Sequence, residues 1–488
     1  MEGAGNRVPL YQSRCINGCM GANGRMELKG KKVLVVGLGK SGLSAALFLR
    51  KLGAQVTVSD MRSAAALAKE IPALLENGIM VESGGHGLLT FRRQDLIVVS
   101  PGVPLDTPEL VQVKAFGLPV IGELELAAQY LKGSVLAITG SNGKTTTTAL
   151  IGEILASAGI QTLVGGNIGV PVVDLIPQSS DSTWSVLEVS SFQLESTQYF
   201  HPNIAVNLNI TPDHLDRHGT FENYALAKER IFAAQVPSDA LVLNADNDRT
   251  AAAAAHSSAR VYWFSRQHPV PQGCWVNNAS DPASAELVYR PFVDGPTEPV
   301  MPLSELTLKG SHNVENVLAA ICAARLAGAS AEVIRRAVSS FHAVEHRLEY
   351  VTTDNGVEYY NDSKATNVDA SAKAIAAFPR GVHLILGGKD KNSNYADLAD
   401  LLRSRVKAVY TIGSAAAKIE SQIRGMVPIV SCDTLARAVA SARKAAHPGD
   451  VVLLSPACSS FDQFENYEER GRIFKQLVLD AVSAAGRN

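Results

Sequence analysis

An apolar run, Val135-Leu136-Ala137-Ile138, breaks into Thr139-Gly140-Ser141-Asn142-Gly143-Lys144-Thr145-Thr146, and a helical pattern then runs to near Gly159. A buried strand, a glycine turn and a helix opening on Lys-Thr make a phosphate cradle. Backbone N–H groups and the helix N-terminus face the anion, the lysine adds a point charge, and a threonine hydroxyl can reach Mg²⁺. This stretch demands a strand–turn–helix unit of an α/β layer and names ATP or GTP as an energy source. The loop is shorter than the G-x-x-x-x-G-K-[ST] form, because Ile138 stands where that form has its first glycine. The alternative is a plain strand-to-helix turn, but Gly-Lys-Thr at such a junction rarely serves geometry alone.

Alternating strands and helices fill the chain in three blocks, the pattern of parallel α/β sheets. The first spans 26–122. Its strand Val33-Leu34-Val35-Val36 meets Gly37-Leu38-Gly39-Lys40-Ser41-Gly42, a helix follows through Leu52, and a second strand ends on Asp60, 18 positions after Gly42. A G-x-G-x-x-G turn with a later acid is a dinucleotide-fold opening, and alone it is weak evidence. The second block, 123–343, carries the phosphate loop, strands Ser185–Val189 and Ile204–Leu208, and a helix from His312 to Leu326. The third, 344–488, has strands at Val382–Leu386, Ala408–Thr411 and Val451–Leu454. Residues 1–25 read as a disordered extension without an apolar signal region, and Met26 as a natural start.

With 488 residues there is room for about three domains, and 46% hydrophobic with 19% charged side chains suits a globular protein with sizeable cores. The 45 basic and 47 acidic residues leave a net charge of −2 and form no basic cluster, which argues against a nucleic-acid partner. No apolar run approaches a bilayer span, so no membrane partner is expected. Six cysteines (Cys15, Cys19, Cys274, Cys322, Cys432, Cys458) form no disulfide framework, and a reducing cytoplasm is the expected compartment. Cys15 and Cys19 have metal-like spacing without a second pair.

Polar residues gather after the apolar strands. Glu188 closes one strand and is suited to Mg²⁺, a cation that takes hard oxygen ligands. Asp213-His214-Leu215-Asp216-Arg217 follows another, and His214 could bind a metal or meet a phosphate. Lys228, in a helical run, reads as an ordinary solvated lysine. Asn361-Asp362-Ser363-Lys364-Ala365-Thr366-Asn367 crowds a carboxylate, a cation and hydroxyls after a strand, as a nucleotide or carboxylate site would. Cys458 sits beside two serines, but with no histidine paired to it in sequence it reads as a small buried hydrophobe rather than a nucleophile.

Taken in order, six runs resemble the Mur ligases of peptidoglycan synthesis. They are Thr139–Thr145, Gly165-Gly166-Asn167-Ile168-Gly169, Glu188-Val189-Ser190-Ser191-Phe192-Gln193-Leu194-Glu195, Asp213–Arg217, Asn361–Asn367 and Ser455-Pro456-Ala457-Cys458. The run Ser190–Glu195 is similar to that of the D-glutamate-adding members. The resemblance covers residue 27 to the C-terminus and implies a three-domain α/β fold. Each domain would have a mainly parallel sheet with flanking helices: dinucleotide-fold-like first, a phosphate-loop ATPase second, dinucleotide-fold-like third.

The implied reaction is ATP-dependent addition of D-glutamate to UDP-MurNAc-L-alanine through an acyl phosphate, in cell-wall biogenesis, cell shape and division. Small molecules would be its only partners, and the working unit a monomer. The resemblance places Gly140, Ser141, Asn142, Gly143, Lys144, Thr145, Thr146, Asn313, Asn316, Arg347 and Asp362 on ATP. Thr145, Glu188, His214 and Lys228 would hold Mg²⁺, for which Mn²⁺ could substitute, with Lys228 carbamylated. Ser41, Asp60, Arg62, Ser100, Gly102, Asn167 and Gln193 would bind the UDP substrate. Lys364, Thr366, Lys391, Ser460 and Tyr467 would surround D-glutamate. Lys144, His214, Lys228 and Lys364 would serve catalysis. Met61 stands where a threonine can occur and Tyr467 where a phenylalanine can. Another Mur ligase or a folylpolyglutamate-synthetase-like ligase is the near alternative. An NAD(P) oxidoreductase would explain only Gly37–Gly42 and Asp60, and a non-catalytic nucleotide-binding regulator predicts binding without amide synthesis.

Overall fold

A computed structural model describes residues 26–281, 283–308, 310–341 and 344–485. The expected disorder of 1–25 and the Cys15–Cys19 pair lie outside the described residues. Met26 is packed, 3% exposed, and its carbonyl accepts the Tyr130 hydroxyl at 2.6 Å.

Three sheets follow one another along the chain. The first orders its strands Met80–Ser83, Gln55–Asp60, Lys32–Val36, Leu96–Val99 and Val120–Gly122, all parallel. This 3-2-1-4-5 order is that of a dinucleotide fold, whose ligands sit beyond the carboxyl ends of the strands. The G-x-G-x-x-G turn packs as the pattern requires: a Cβ on Gly42 would stand 2.0 Å from the Gly37 carbonyl.

Nine strands form the second sheet. Ser134–Thr139 lies between Trp184–Glu188 and Ile204–Asn207, and Thr162–Gly166 closes that edge. Buried Val, Ile and Leu on both faces of these strands feed two cores, one shared with the first sheet's helices and one under the helices Lys144–Ser157 and Ser311–Leu326. Runs buried on both faces read as continuous apolar stretches, which is why they were visible in the sequence. The other edge differs from expectation. Gly273–Asn277, Glu286–Arg290 and Glu298–Pro302 add an antiparallel meander. Pro299 and Pro302 in its outermost strand mask it in the sequence, and an edge is where a sheet tolerates proline.

The third sheet has six strands, in the order Glu349–Asp354, Val357–Asn361, Val451–Leu454, Val382–Gly387, Val406–Ile412 and Ile429–Asp433. All are parallel except the first, which pairs antiparallel as a hairpin with the second. The first and second sheets are joined through the helix Glu123–Ala128. Its Glu125 carboxylate accepts the N–H groups of Gln198, Tyr199 and Phe200 at 2.8–3.1 Å.

Candidate active site

The turn between Thr139 and Lys144 runs through two glycines in the left-handed half of φ space, Gly140 at 150° and Gly143 at 90°. A Cβ on Gly143 would lie 2.1 Å from Asn316 Oδ1, so the loop and the Ser311–Leu326 helix approach as only glycine permits. Lys144 opens the following helix and folds back, donating to the Gly140 and Ser141 carbonyls at 2.8 and 3.0 Å. Ser141 and Asn142 are tied to the next strand's exit by Thr211, Asn209 and the Tyr224 hydroxyl. The loop is therefore pre-shaped.

Thr145 is where the second and third sheets meet. Its hydroxyl donates to Glu188 Oε2 at 2.7 Å and accepts from Arg347 and Lys364, each at 2.8 Å. Asn167 donates to the other Glu188 oxygen at 2.9 Å. Burial disfavours the Glu188 charge, but Lys364, Lys144, Arg347 and the Asn167 bond outweigh it, and the carboxyl stays below its ordinary pKa. Burial, then repulsion by Arg347, pulls Lys364 down to about 7. Five basic side chains (Lys144, Lys228, Arg347, Lys364, Lys391) share this buried region with two carboxylates, Glu188 and Asp213, and burial lowers the pKa of Lys144, Lys228 and Lys364. Such a surplus is what a polyphosphate neutralises.

Lys228 corrects the reading of a solvated helix lysine. It lies on the buried side of Phe221–Glu229 at 1% exposure, donates to the Gly140 carbonyl at 2.8 Å, and stands 4.7 Å from the Tyr224 ring centre. Burial and then Lys144 push its pKa well down. The short Ala-Leu-Ala-Lys run carries little amphipathic signal, so periodicity could not find it. His214 sits at φ 52, beside Asp213 at 3.6 Å and edge-on to Phe192. Burial lowers it to about 4, which leaves a neutral imidazole at neutral pH with a lone pair to give.

Among the described residues no three His, Cys, Asp or Glu side chains converge as a metal cage. The oxygen donors that do meet are the Glu188 carboxylate and the Thr145 hydroxyl, 2.7 Å apart. A carboxylate beside a phosphate loop fits Mg²⁺ in kind, since Mg²⁺ is usually held by one or two carboxylates plus substrate phosphates.

Two cavities flank Thr145. A cleft of about 730 Å³ brings together Ser41, Asp60, Arg62, Ser100, Gly102, Asn167 and Gln193, and adds Lys364 and Tyr467. All the sequence-predicted UDP-site residues meet there. Asp60 accepts the Leu38 and Arg62 N–H groups at 2.6 and 2.8 Å and both Arg62 guanidinium contacts at 3.1 Å. Despite burial, these bonds hold its carboxyl below the ordinary range. The second cavity, about 50 Å³, is lined by Asn142, Gly143, Thr146, Asn313, Asn316, Arg347, Asp362 and Lys364. It brings together Asn142, Gly143, Thr146, Asn313, Asn316, Arg347 and Asp362 of the predicted ATP residues, while Gly140, Ser141, Lys144 and Thr145 lie outside its lining, and it is far smaller than a ligand pocket.

The D-glutamate set is only partly assembled. Lys391 reaches the Thr366 hydroxyl at 3.5 Å, and Lys364 stands 5.0 Å from the Tyr467 ring centre. Ser460 is buried and its carbonyl accepts the Gln463 and Phe464 N–H groups; no hydrogen bond among the described residues joins it to the others. Sequence reasoning left two residues without a role. Asp213 accepts from Asn367 at 2.8 Å, and Asp369 accepts from Asn142 at 2.5 Å and Thr211 at 3.1 Å, so both carboxylates bridge the second and third sheets. Asp369, in the first turn of a helix, looks like a solvated acid in sequence. Cys458 is buried against the Tyr395 hydroxyl at 2.9 Å, and burial pushes its thiol up to about 11, as expected of an inert cysteine.

Three family models cover the chain in order: the MurD-like N-terminal domain of Mur ligases over 31–122, the Mur ligase middle domain over 138–324, and the Mur ligase glutamate ligase domain over 346–458. The UDP-N-acetylmuramoylalanine–D-glutamate ligase of Acidobacterium capsulatum is 68% identical, over 94% of this chain and 98% of its own. The chain belongs to the Mur ligase family. A second ligase of the same name, from Koribacter versatilis, is 59% identical to this Mur ligase over 93% of the chain and 98% of the relative. In fold, this Mur ligase resembles the UDP-N-acetylmuramate–alanine ligase of Thermotoga maritima, with a TM-score of 0.57 at 19% identity over 92% of this chain and all of that one. It also resembles a pseudomurein peptide ligase type C of Methanothermus fervidus, with a TM-score of 0.58 at 21% identity over 93% of this chain and all of that one.

Proposed function

We propose that this Mur ligase is an ATP-dependent ligase that adds D-glutamate to UDP-MurNAc-L-alanine in peptidoglycan precursor synthesis. The reading is supported by its 68% identity to a ligase of that name and by the run Ser190–Glu195. The observation that carries the chemistry is the Thr145 junction, where a phosphate loop, a buried carboxylate and two cations from another domain converge.

A carboxylate is a poor electrophile, so its oxygen first takes the γ-phosphoryl of ATP and ADP leaves. The D-glutamate nitrogen then attacks the acyl carbon, the C–O bond to phosphate breaks, and the amine sheds a proton. Lys144, Arg347 and Lys364 offset charge on the transferring phosphoryl, and Asn313, Asn316 and Asp362 hold the nucleotide against the loop. Thr145, Glu188, His214 and the modified Lys228 would hold Mg²⁺, which would supply positive charge against the phosphates. The cleft binds the UDP substrate through Ser41, Asp60, Arg62, Ser100, Gly102, Asn167 and Gln193, and so aims its terminal carboxylate at Lys364. Lys364, Thr366, Lys391, Ser460 and Tyr467 receive D-glutamate when the third domain closes.

Lys228 is carbamylated in the working enzyme. A buried amine held below its ordinary pKa is a nucleophile for CO₂; its nitrogen bonds the carbon, a C=O electron pair moves onto oxygen, one N–H proton leaves, and the neutral amine becomes a carbamate anion with oxygen donors. Domain boundaries fall at 26–122, 123–343 and 344–488, supported by the first sheet ending at Gly122 and the third beginning at Glu349. The four described cysteines are free, in keeping with a cytoplasmic site, and no described helix is long and apolar enough to cross a membrane.

The test supplies ATP, Mg²⁺, UDP-MurNAc-L-alanine and single amino acids, and follows phosphate. D-Glutamate-dependent release is expected. Equal release with L-lysine, or none with D-glutamate, would sink the proposal.

A further inference from the structure

We infer that Lys40 is the cation that binds the diphosphate of the uridine substrate, an inference that rests on reading the first domain's cleft as the UDP site. Lys40 is the first residue of the helix Lys40–Lys51 and lines the cleft, yet neither the glycine pattern nor the acid at its end gives it a role. Its ammonium donates across the cleft to the carbonyl of Gly169, in the second domain.

The other cations of the cleft are committed elsewhere. Arg62 is paired with Asp60 at 3.1 Å and donates to the Leu38 carbonyl at 2.8 Å. Lys364 donates to Thr145. Among the described residues, no carboxylate lies within ion-pair distance of Lys40. The first domain's wall thus presents one cation that no carboxylate offsets, on a flexible four-carbon stem, beside the N–H groups of a helix start. A neutral carbonyl is a weaker acceptor than a phosphate oxygen, because hydrogen bonds between ionised partners are roughly twice as strong. A diphosphate entering the cleft therefore draws the ammonium from Gly169. That exchange acts on the turn Gly166–Gly169, whose Asn167 is hydrogen-bonded to Glu188 at 2.9 Å.

The test compares full-length wild type, Lys40→Met and Lys40→Arg in steady-state assays that vary UDP-MurNAc-L-alanine and ATP separately, with UDP and uridine as inhibitors. For Lys40→Met the KM for the UDP substrate should rise about tenfold, the loss expected for one charge-assisted phosphate contact. Inhibition by UDP should weaken by about the same factor, with kcat, the KM for ATP and inhibition by uridine held within about twofold. Lys40→Arg should recover most of the loss. Unchanged UDP inhibition in Lys40→Met overturns the inference. So does a fall in kcat at constant KM, which would mark Lys40 as a clasp onto Gly169 alone. Absence of UDP inhibition in the wild type would instead overturn the UDP-site reading, and this inference with it; the wild-type arm tells that failure from the others.

Discussion

Glu123 opens the helix that joins the first two domains, and it is almost fully buried, at 1% exposure. One oxygen accepts the Val173 N–H at 2.9 Å and the other has no partner. Burial lifts its pKa from 4.5 to about 7, the Val173 N–H works against the rise, and the nearby Asp174 charge adds to it. The sign follows from linkage. A raised folded-state pKa means that the native protein holds its proton where the unfolded chain has lost it, so this group costs stability increasingly from about pH 4.5 to pH 7 and levels off above. With these two pKa values the cost is about 0.8 kcal/mol at pH 5 and about 3.3 kcal/mol at pH 8. Glu123→Gln keeps an acceptor for Val173 and cannot ionise. Its other effects, including a buried NH₂ without a partner, do not vary with pH and cancel in the comparison. The variant should therefore gain about 2.5 kcal/mol on wild type between pH 5 and pH 8. Urea unfolding of both proteins at half-unit steps, followed by fluorescence of the linked domains, measures it. A stability difference independent of pH, or one that moves in favour of wild type as pH rises, would refute the argument that desolvation dominates at Glu123.

Three further outcomes are expected. Lys228→Ala should cost at least about a hundredfold in kcat, as loss of a positioned electrostatic group does, with partial rescue by acetate or formate; undiminished activity would remove Lys228 from the site. Asp369→Ala deletes the carboxylate that ties Asn142 and Thr211 to the third domain, so the KM for ATP should rise several-fold while the KM for the UDP substrate stays put, and equal changes in both would count against a latch on the phosphate loop. Cys458, with its thiol pushed up to about 11, should resist iodoacetamide at pH 7.5 in the native protein and tolerate replacement by alanine within about twofold in rate; rapid alkylation with loss of activity would reinstate a nucleophile.

Much of the architecture was legible because its strands are buried on both faces. Val33–Val36 and Val135–Ile138 are unbroken apolar runs, the first followed by Gly37 and the second by Thr139-Gly140, and a parallel sheet leaves few other interpretations. The outer strand of the meander, Glu298–Pro302, was not legible, because an edge strand can carry prolines and so looks like a loop. At the site, the phosphate loop is a local signal and any reader of glycine spacing finds it. Lys228 and Asp369 are different: each owes its role to a partner far away in sequence, Gly140 for one and Asn142 for the other. Only the resemblance to a family could select Lys228, and nothing selected Asp369 or Lys40.

Thr145 shows how one residue can join the chemistry of two domains. A hydroxyl has one proton and two lone pairs, and here all are committed: the proton to Glu188, the lone pairs to Arg347 and Lys364. Arg347 and Lys364 come from the third domain, and the other ties across this junction, Asn142 to Asp369, Thr211 to Asp369 and Asn367 to Asp213, are polar as well. Polar contacts between domains release at small net cost, because water replaces them on opening. A γ-phosphate is a stronger acceptor than a hydroxyl for both cations. Its arrival would move Arg347 and Lys364 off Thr145 and free a lone pair for a cation, while keeping the third domain drawn toward the same point. The basic side chains gathered around Thr145 are thus the ones that a γ-phosphate would draw to one point.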